Sequence, residues 1–257
     1  MSIEAQAGIV DLLYGVTHDQ GVAYQPGAVY EGSVAAFICE MRDGEARFTS
    51  AGPLESVEAA IDLLEPELRA WELSAELSTG RCALTFVYHN GSMRAPVTAG
   101  VTLMAGTARL AFETYRPLLT QTFAAYPAPP NASLRVDATV EILAFHLRKM
   151  REPDSFFSAH AYAICTFAKH AHRNNGHRAE DALNLDRGFI GHLQTLATER
   201  GGPTEQRKAV GGTRKPAMTA QERDAIFSGC KELVLRSAQF AAGCVTAQTL
   251  PKSSLQP

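Results

Sequence analysis

Apolar positions change their rhythm near the middle of the chain. In the first half, short runs rich in Val, Phe, Ile and Ala are bounded by turn dipeptides, the pattern of strands. Val29–Met41 is such a run, and it ends near Asp43-Gly44. Ala46–Ser50 follows at once, so the spacing predicts a hairpin. The rhythm then lengthens. Val57, Ile61, Leu64, Leu68, Trp71 and Ala75 recur at intervals of three and four, which puts them on one helical face. Pro66 falls inside this stretch and predicts a kink or a second helix start, because proline removes a backbone donor. Gly80 is the expected stop. Cys82–Tyr88 reads as a strand closed by Asn90-Gly91, and Val97–Phe112 has room for one or two more.

Beyond Tyr126-Pro127-Ala128-Pro129-Pro130, which must be extended, the pattern is helical throughout. Val136, Val140, Leu143, Leu147 and Met150 form one stripe, with Ser133 as its expected cap. Glu152-Pro153-Asp154 separates it from Phe157, Ala161, Ile164, Ala168 and Ala171, a second stripe stopped by Asn174-Asn175-Gly176. A short helix over Ala179–Leu183 comes next. Asp186 is then expected to cap a helix carrying Phe189, Ile190, Leu193 and Leu196, ended by Gly201-Gly202. Thr219-Ala220-Gln221-Glu222 is a capping box announcing the last helix, with Ile226, Cys230, Leu233, Ser237 and Phe240 inward. Helices of this number and length make a bundle. The reading is therefore α+β: a strand-bearing N-terminal part with one long or kinked helix, followed by an all-helical C-terminal bundle. The expected divisions are an α+β domain over 1–125, a Pro-rich joint over 126–132, a helical bundle over 133–248 and a disordered tail over 249–257.

Charge sharpens this division. The chain of 257 residues carries a net charge of −3. Through Ala125 there are seven arginines, no lysine and 15 acidic residues, whereas from Tyr126 onward 17 basic residues face 12 acidic ones. The basic half could take an anionic partner, although two domains of different composition explain the asymmetry as well. No apolar run reaches the roughly 18–20 residues that span a bilayer, and no charged-then-apolar leader opens the chain. The five cysteines are scattered without a CxxC pair. A disulfide framework is not expected, and a reducing cytoplasm is.

Three groups of residues raise the question of chemistry. His160, His170, His172 and His177 are numerous enough to suggest a metal. Yet His170 and His172 are two apart and face different ways on a helix, and no carboxylate or cysteine completes a shell at matching spacing. No metal and no cofactor is expected. Arg187 and His192, an Arg and a His four residues apart, have the form R-x(4–6)-H used by HEPN-class ribonucleases on helical bundles. There Arg steadies the phosphorane charge and His moves protons. In a chain with eight histidines such a pair arises by chance roughly once. The stretch 200–216 gathers Arg207, Lys208, Arg214 and Lys215 among two Gly-Gly pairs. Glycines let backbone amides approach a phosphate and the cations add charge, but the order is not that of a Walker A loop, and a solvated connection is the plainer reading. Serine or cysteine catalysis has no signature: there is no GxSxG elbow and no GxGxxG after a strand.

Several stretches carry a resemblance. Glu55-Ser56 through Ala70-Trp71-Glu72-Leu73-Ser74-Ala75 to Phe86-Val87-Tyr88, the Tyr126–Pro130 joint, the helix Ala159–Lys169, and the run Gly201-Gly202…Arg207-Lys208…Thr219-xx-Glu222-Arg223 resemble uncharacterised bacterial proteins. Some of these are labelled methylamine utilisation protein MauJ. Thr166-Phe167-Ala168-Lys169-His170 departs from a Thr-Leu-Glu-like run expected there. The resemblance implies an α+β first part and a helical second part, and carries over no catalytic residue. Two functional readings stand. The first is a non-enzymatic accessory or binding protein with a protein partner. The second is a nucleic-acid- or nucleotide-acting protein with a HEPN-like helical domain, an anionic or nucleic-acid ligand meeting the basic loop. Neither involves a membrane.

Overall fold

The computed structural model describes residues 7–95, 120–131, 133–152, 156–173, 178–199, 217–244 and 248–255. The chain divides into two compact units, Met1–Pro130 and Asn131–Pro257. The first is a sheet with one long helix; the second is helical. Strands expected over Val97–Phe112, the stops at Pro153-Asp154, Asn174–Gly176 and Gly201-Gly202, and the basic loop with Arg207, Lys208, Arg214 and Lys215 lie outside the described residues.

Five strands make the main sheet of the first unit: β1 (Ile9–Thr17), β3 (Val29–Val34), β4 (Phe37–Arg42), β5 (Glu45–Ser50) and β6 (Thr85–Arg94). Their order is β3-β4-β5-β1-β6, with every pairing antiparallel. The single run Val29–Met41 proves to be two strands, turned at Ala35-Ala36. The expected turn at Asp43-Gly44 joins β4 to β5, with φ of 52° and 77°. Two successive positive φ values are what a two-residue hairpin of right-handed twist demands. β4 alternates buried and exposed residues without a fault, so Phe37, Cys39 and Met41 share one face. That face is covered by α1 (Val57–Thr79), which buries Ala60, Leu64, Leu68, Trp71 and Ala75 against it.

Helix α1 runs unbroken through Pro66 and stops at Gly80. Proline is tolerated because residue 66 is exposed, so the helical carbonyl it leaves unpaired can turn to water. Ser56 caps the helix, its hydroxyl accepting from the Ala59 amide at 3.1 Å. Asn90-Gly91 is not a turn. Strand β6 passes straight through it, and the register against β1 slips between Leu13 and Tyr14, so His89 is the extra residue of a bulge. Glycine is required at 91 for another reason: a Cβ there would lie 2.6 Å from Val57 Cγ1 and 2.8 Å from Leu12 Cδ2. A small parallel ribbon, β2 (Val22–Tyr24) with β7 (Gln121–Phe123), completes the unit.

The proline-rich segment belongs to this unit rather than standing apart as a joint. The Tyr126 hydroxyl accepts from the Gly44 amide at 3.0 Å, and its ring lies 4.3 Å from that of Tyr24. The Trp71 indole donates to the Pro127 carbonyl at 2.8 Å. A chain that cannot bond within itself, because its prolines lack donors, bonds to a helix and a turn instead.

The second unit holds α2 (Ala138–Lys149), α3 (Phe157–Ala171), the single turn α4 (Ala179–Ala182), α5 (Phe189–Glu199) and α6 (Ala220–Ala241). Helix α3 is central and packs on α2, α5 and α6. Its buried residues include Phe157, Ala161, Ile164, Cys165 and Ala168. The capping box of α6 is present in full, with Thr219 and Glu222 exchanging bonds. Two expected caps differ. Asp137, not Ser133, caps α2, accepting from Val140 at 2.9 Å. Asp186 accepts at its carboxylate from the Lys252 amide instead of an α5 amide.

That last bond is part of a larger correction: residues 249–255 are docked, not loose. Leu250 bridges Leu185, residues Lys252–Leu255 form a 3-10 turn, and Leu255 is buried against Gly229. Buried Arg236 supports this arrangement. Its Nη1 donates to the carbonyls of Leu183 and Asn184, and its Nη2 to that of Gln248. The Nε atom stands 3.7 Å from Glu232 Oε2, an ion-pair approach too long for a hydrogen bond.

Two outcomes follow. Trp71→Phe keeps most of the apolar bulk but leaves the Pro127 carbonyl without its donor, and should cost about 1–3 kcal/mol in the denaturant transition of the first unit. The native indole should emit at short wavelength, and a water-like emission maximum would contradict its burial. Arg236→Met should cost at least about 2 kcal/mol and raise amide exchange at Leu250 and Lys252; unchanged exchange there would show that the arginine does not hold the segment.

Candidate functional site

The described sequence-level candidates do not converge. Arg187 is exposed ahead of α5, while His192 is half-buried in the first turn, its amide bonded to the Gly188 carbonyl. No described hydrogen bond or ion pair joins the two side chains. The histidine group is dispersed: His160 sits on the α2–α3 face, His170 is exposed at the far end of α3, His172 is buried and His177 lies outside the described residues. Among the described residues no group of three or more His, Cys, Asp or Glu is placed to hold a metal.

What converges instead is one face of α2 and α3. The exposed apolar side chains Ile142, Phe145 and Phe167 stand together there at 39%, 49% and 43% of full exposure, too much for core residues. Thr139, Ile142, Phe167, His170 and Ala171 line a cleft of about 320 Å³. The origin is local. Leu143 and Leu147 must face the bundle interior, so Thr139, Ile142 and His146, at spacings of three and four, fall on the flank. On α3, Ile164 and Ala168 face inward, and Phe167 and His170 fall on the matching flank.

At the other end of this face two imidazoles meet. His146 Nδ1 lies 2.9 Å from His160 Nδ1. The His146 ring is stacked on Phe167, with centroids 5.7 Å apart and planes 21° from parallel. Lys149 bonds both carboxylate oxygens of Glu152, at 2.8 and 2.9 Å, and its ammonium stands 5.8 Å from the centre of the Phe145 ring. Burial holds His146 below the ordinary imidazole value, and His160 adds to the effect. Burial does the same to His160, with Lys149 adding and Glu152 opposing. Residue spacing could not reveal this pair, because 14 residues separate its members. The one signal was that each precedes a buried residue, Leu147 or Ala161, and so rides the flank of its helix.

A second contact has the look of a catalytic dyad and lacks its use. His172 Nε2 lies 3.0 Å from Ser237 Oγ. Both are buried, Ser237 completely, and the ring is closed off by Phe240 edge-to-face at 5.0 Å. A nucleophile with no surface reaches no substrate. His172 Nδ1 is buried without a partner. The tautomer with Nε2–H donating to Ser237 leaves only a lone pair unsatisfied, the cheaper arrangement.

No protein-family model, curated protein or solved structure matches the chain. Among the described residues no helix is long and apolar enough to cross a membrane.

His172 makes stability depend on pH. Burial lowers its folded value below the ordinary 6.5, with Asp137 pulling the other way. The unfolded chain then binds more protons than the folded one as pH falls below 6.5. Stability from this group is complete above that point and is lost on acidification. Denaturant midpoints by circular dichroism, taken between about pH 7.5 and 5.5, should fall for the native chain. His146 and His160 contribute with the same sign, so His172→Gln, which keeps an amide donor for Ser237, should flatten the slope in part. An identical slope in that variant would assign the effect elsewhere.

Proposed function

We propose that this chain is a binding protein whose second unit accepts a small aromatic ligand on the α2–α3 face. The observation that carries the reading is the cleft: about 320 Å³, walled by Ile142, Phe167 and Ala171, with Thr139 and His170 as the polar groups. That volume suits a ligand of one or two rings, at the small end of known sites. A mostly hydrocarbon wall supplies the driving force and a few polar groups set orientation. Exposed Phe145 and Phe167 extend the apolar surface beyond the cleft. Binding without chemistry accords with the site, because the Thr139 hydroxyl and the His170 imidazole form no described bond with one another, and no nucleophile–base pair lies beside them. An accessory role, in which the chain holds a ligand for a protein partner, is the setting we favour.

The second reading, a HEPN-like protein acting on RNA, keeps one observation in its favour: Arg187 and His192 both lie at the accessible start of α5 in a helical unit. The two readings differ in which residues matter. Indole and benzoate should bind the native chain in ligand-observed NMR, and Phe167→Ala and Ile142→Asn should each weaken that binding about tenfold or more. His192→Ala should leave it unchanged. Neither probe binding, or binding indifferent to Phe167 and Ile142, would remove the proposal. Cleavage of RNA lost in His192→Ala would put the second reading in its place.

A further inference from the structure

We propose that His146 and His160 form a binding site for a single divalent copper or nickel ion. The site does not depend on the aromatic-ligand reading, since its donors do not line the cleft. Its starting point is the direction of the two rings. Nδ1 of His146, on α2, and Nδ1 of His160, on α3, approach to 2.9 Å. Two imidazole lone pairs do not converge at that distance unless a positive charge lies between them. A shared proton supplies it in the metal-free protein, as an N–H···N hydrogen bond. A metal ion supplies it otherwise, displacing that proton to water.

The separation selects among metals. Imidazole nitrogen binds first-row ions at about 2.0–2.1 Å, and two such bonds spanning 2.9 Å meet at about 90°. A right angle belongs to tetragonal and octahedral coordination, which copper(II) and nickel(II) favour. Tetrahedral zinc needs nitrogens about 3.3 Å apart at the same bond length. Imidazole is also a donor to which copper and nickel bind strongly in the general order of divalent affinities.

The surroundings suit two donors with water completing the shell. Both histidines are half-buried, so one side stays open to solvent. His146 is held by its stack on Phe167, 21° from parallel, so one donor is oriented before the ion arrives. The nearest charges are Lys149 and Glu152, ion-paired at 2.8 Å, which together bring no net repulsion.

The experiment titrates the full native chain with copper(II), then nickel(II), near neutral pH, following affinity by calorimetry and coordinated nitrogen by electron paramagnetic resonance. One ion should bind per chain, with two imidazole nitrogens on copper. His146→Gln and His160→Ala should each weaken binding about tenfold or more, and His170→Ala should not. Bound copper should raise the thermal midpoint of the native chain and of His170→Ala, but not of the two donor variants. Circular dichroism before each titration confirms that a variant is folded, and His160→Gln stands in if His160→Ala is not. Equal copper and nickel affinity in the native chain and the donor variants would overturn the proposal, since the ion would then sit elsewhere. So would a copper spectrum with no imidazole nitrogen.

Discussion

Helix α3 must lose most of its circumference to its neighbours, and the rest of the second unit follows from that constraint. Three helices press on it, so Ala161 and Ala168 keep the inward face narrow while Ile164 and Phe157 fill the gaps. Cys165 belongs to the same interior. It meets Cys230 of α6, whose thiol is pushed well up by burial and then by the bond to Cys165. Protonated, unreactive thiols are simply small core side chains here. What is left to solvent is a strip carrying His160, Phe167 and His170. Its neighbour is the flank of α2, so the cleft and the histidine pair are the two ends of one residual surface.

The first unit obeys the same rule with different pieces. One sheet face is dry because α1 covers it, and the large rings of Tyr14, Phe48, Trp71 and Phe86 meet there edge-on or tilted. Aromatic pairs in these arrangements add to area burial. The helix also reaches the sheet through a carboxylate: Glu72 accepts from the Phe86 amide at 2.6 Å, close to the start of β6. A donor that the strand pattern would leave unused is satisfied by a side chain from another layer.

Where local chemistry decides, the sequence was a good guide. Asp43-Gly44, the Thr219–Glu222 capping box and the stripe through Leu64, Leu68 and Trp71 each formed as their residues imply. It misled where a local preference has two outlets. Asn90-Gly91 suits a turn and a bulge equally, and the crowding of Val57 and Leu12 that demands glycine at 91 comes from residues distant in the chain. Asp186 had the chemistry of a cap, but tertiary contact gave it the Lys252 amide. The short C-terminal stretch has little apolar content, and only the pocket beside Gly229 shows why Leu255 is enough to seat it. The site was less legible still. His172 was grouped with its neighbours by count, while its actual partner, Ser237, is 65 residues away. His146 drew no attention because pairing across helices depends on which flanks touch.

Arg236 is a cation neutralised mainly by dipoles. Its guanidinium meets three backbone carbonyls, with one carboxylate at longer range. Carbonyls do not titrate, and a guanidinium keeps its proton at any pH where the protein is folded. Nor is a contact enclosed on this scale screened as the exposed Arg42–Glu31 approach is. The anchor of the C-terminal segment is thus nearly blind to the two variables that most readily loosen ionic contacts, salt and acid, and its weakness lies in competition instead. A solute that itself hydrogen-bonds to peptide carbonyls, as urea and guanidinium do, acts on this joint directly.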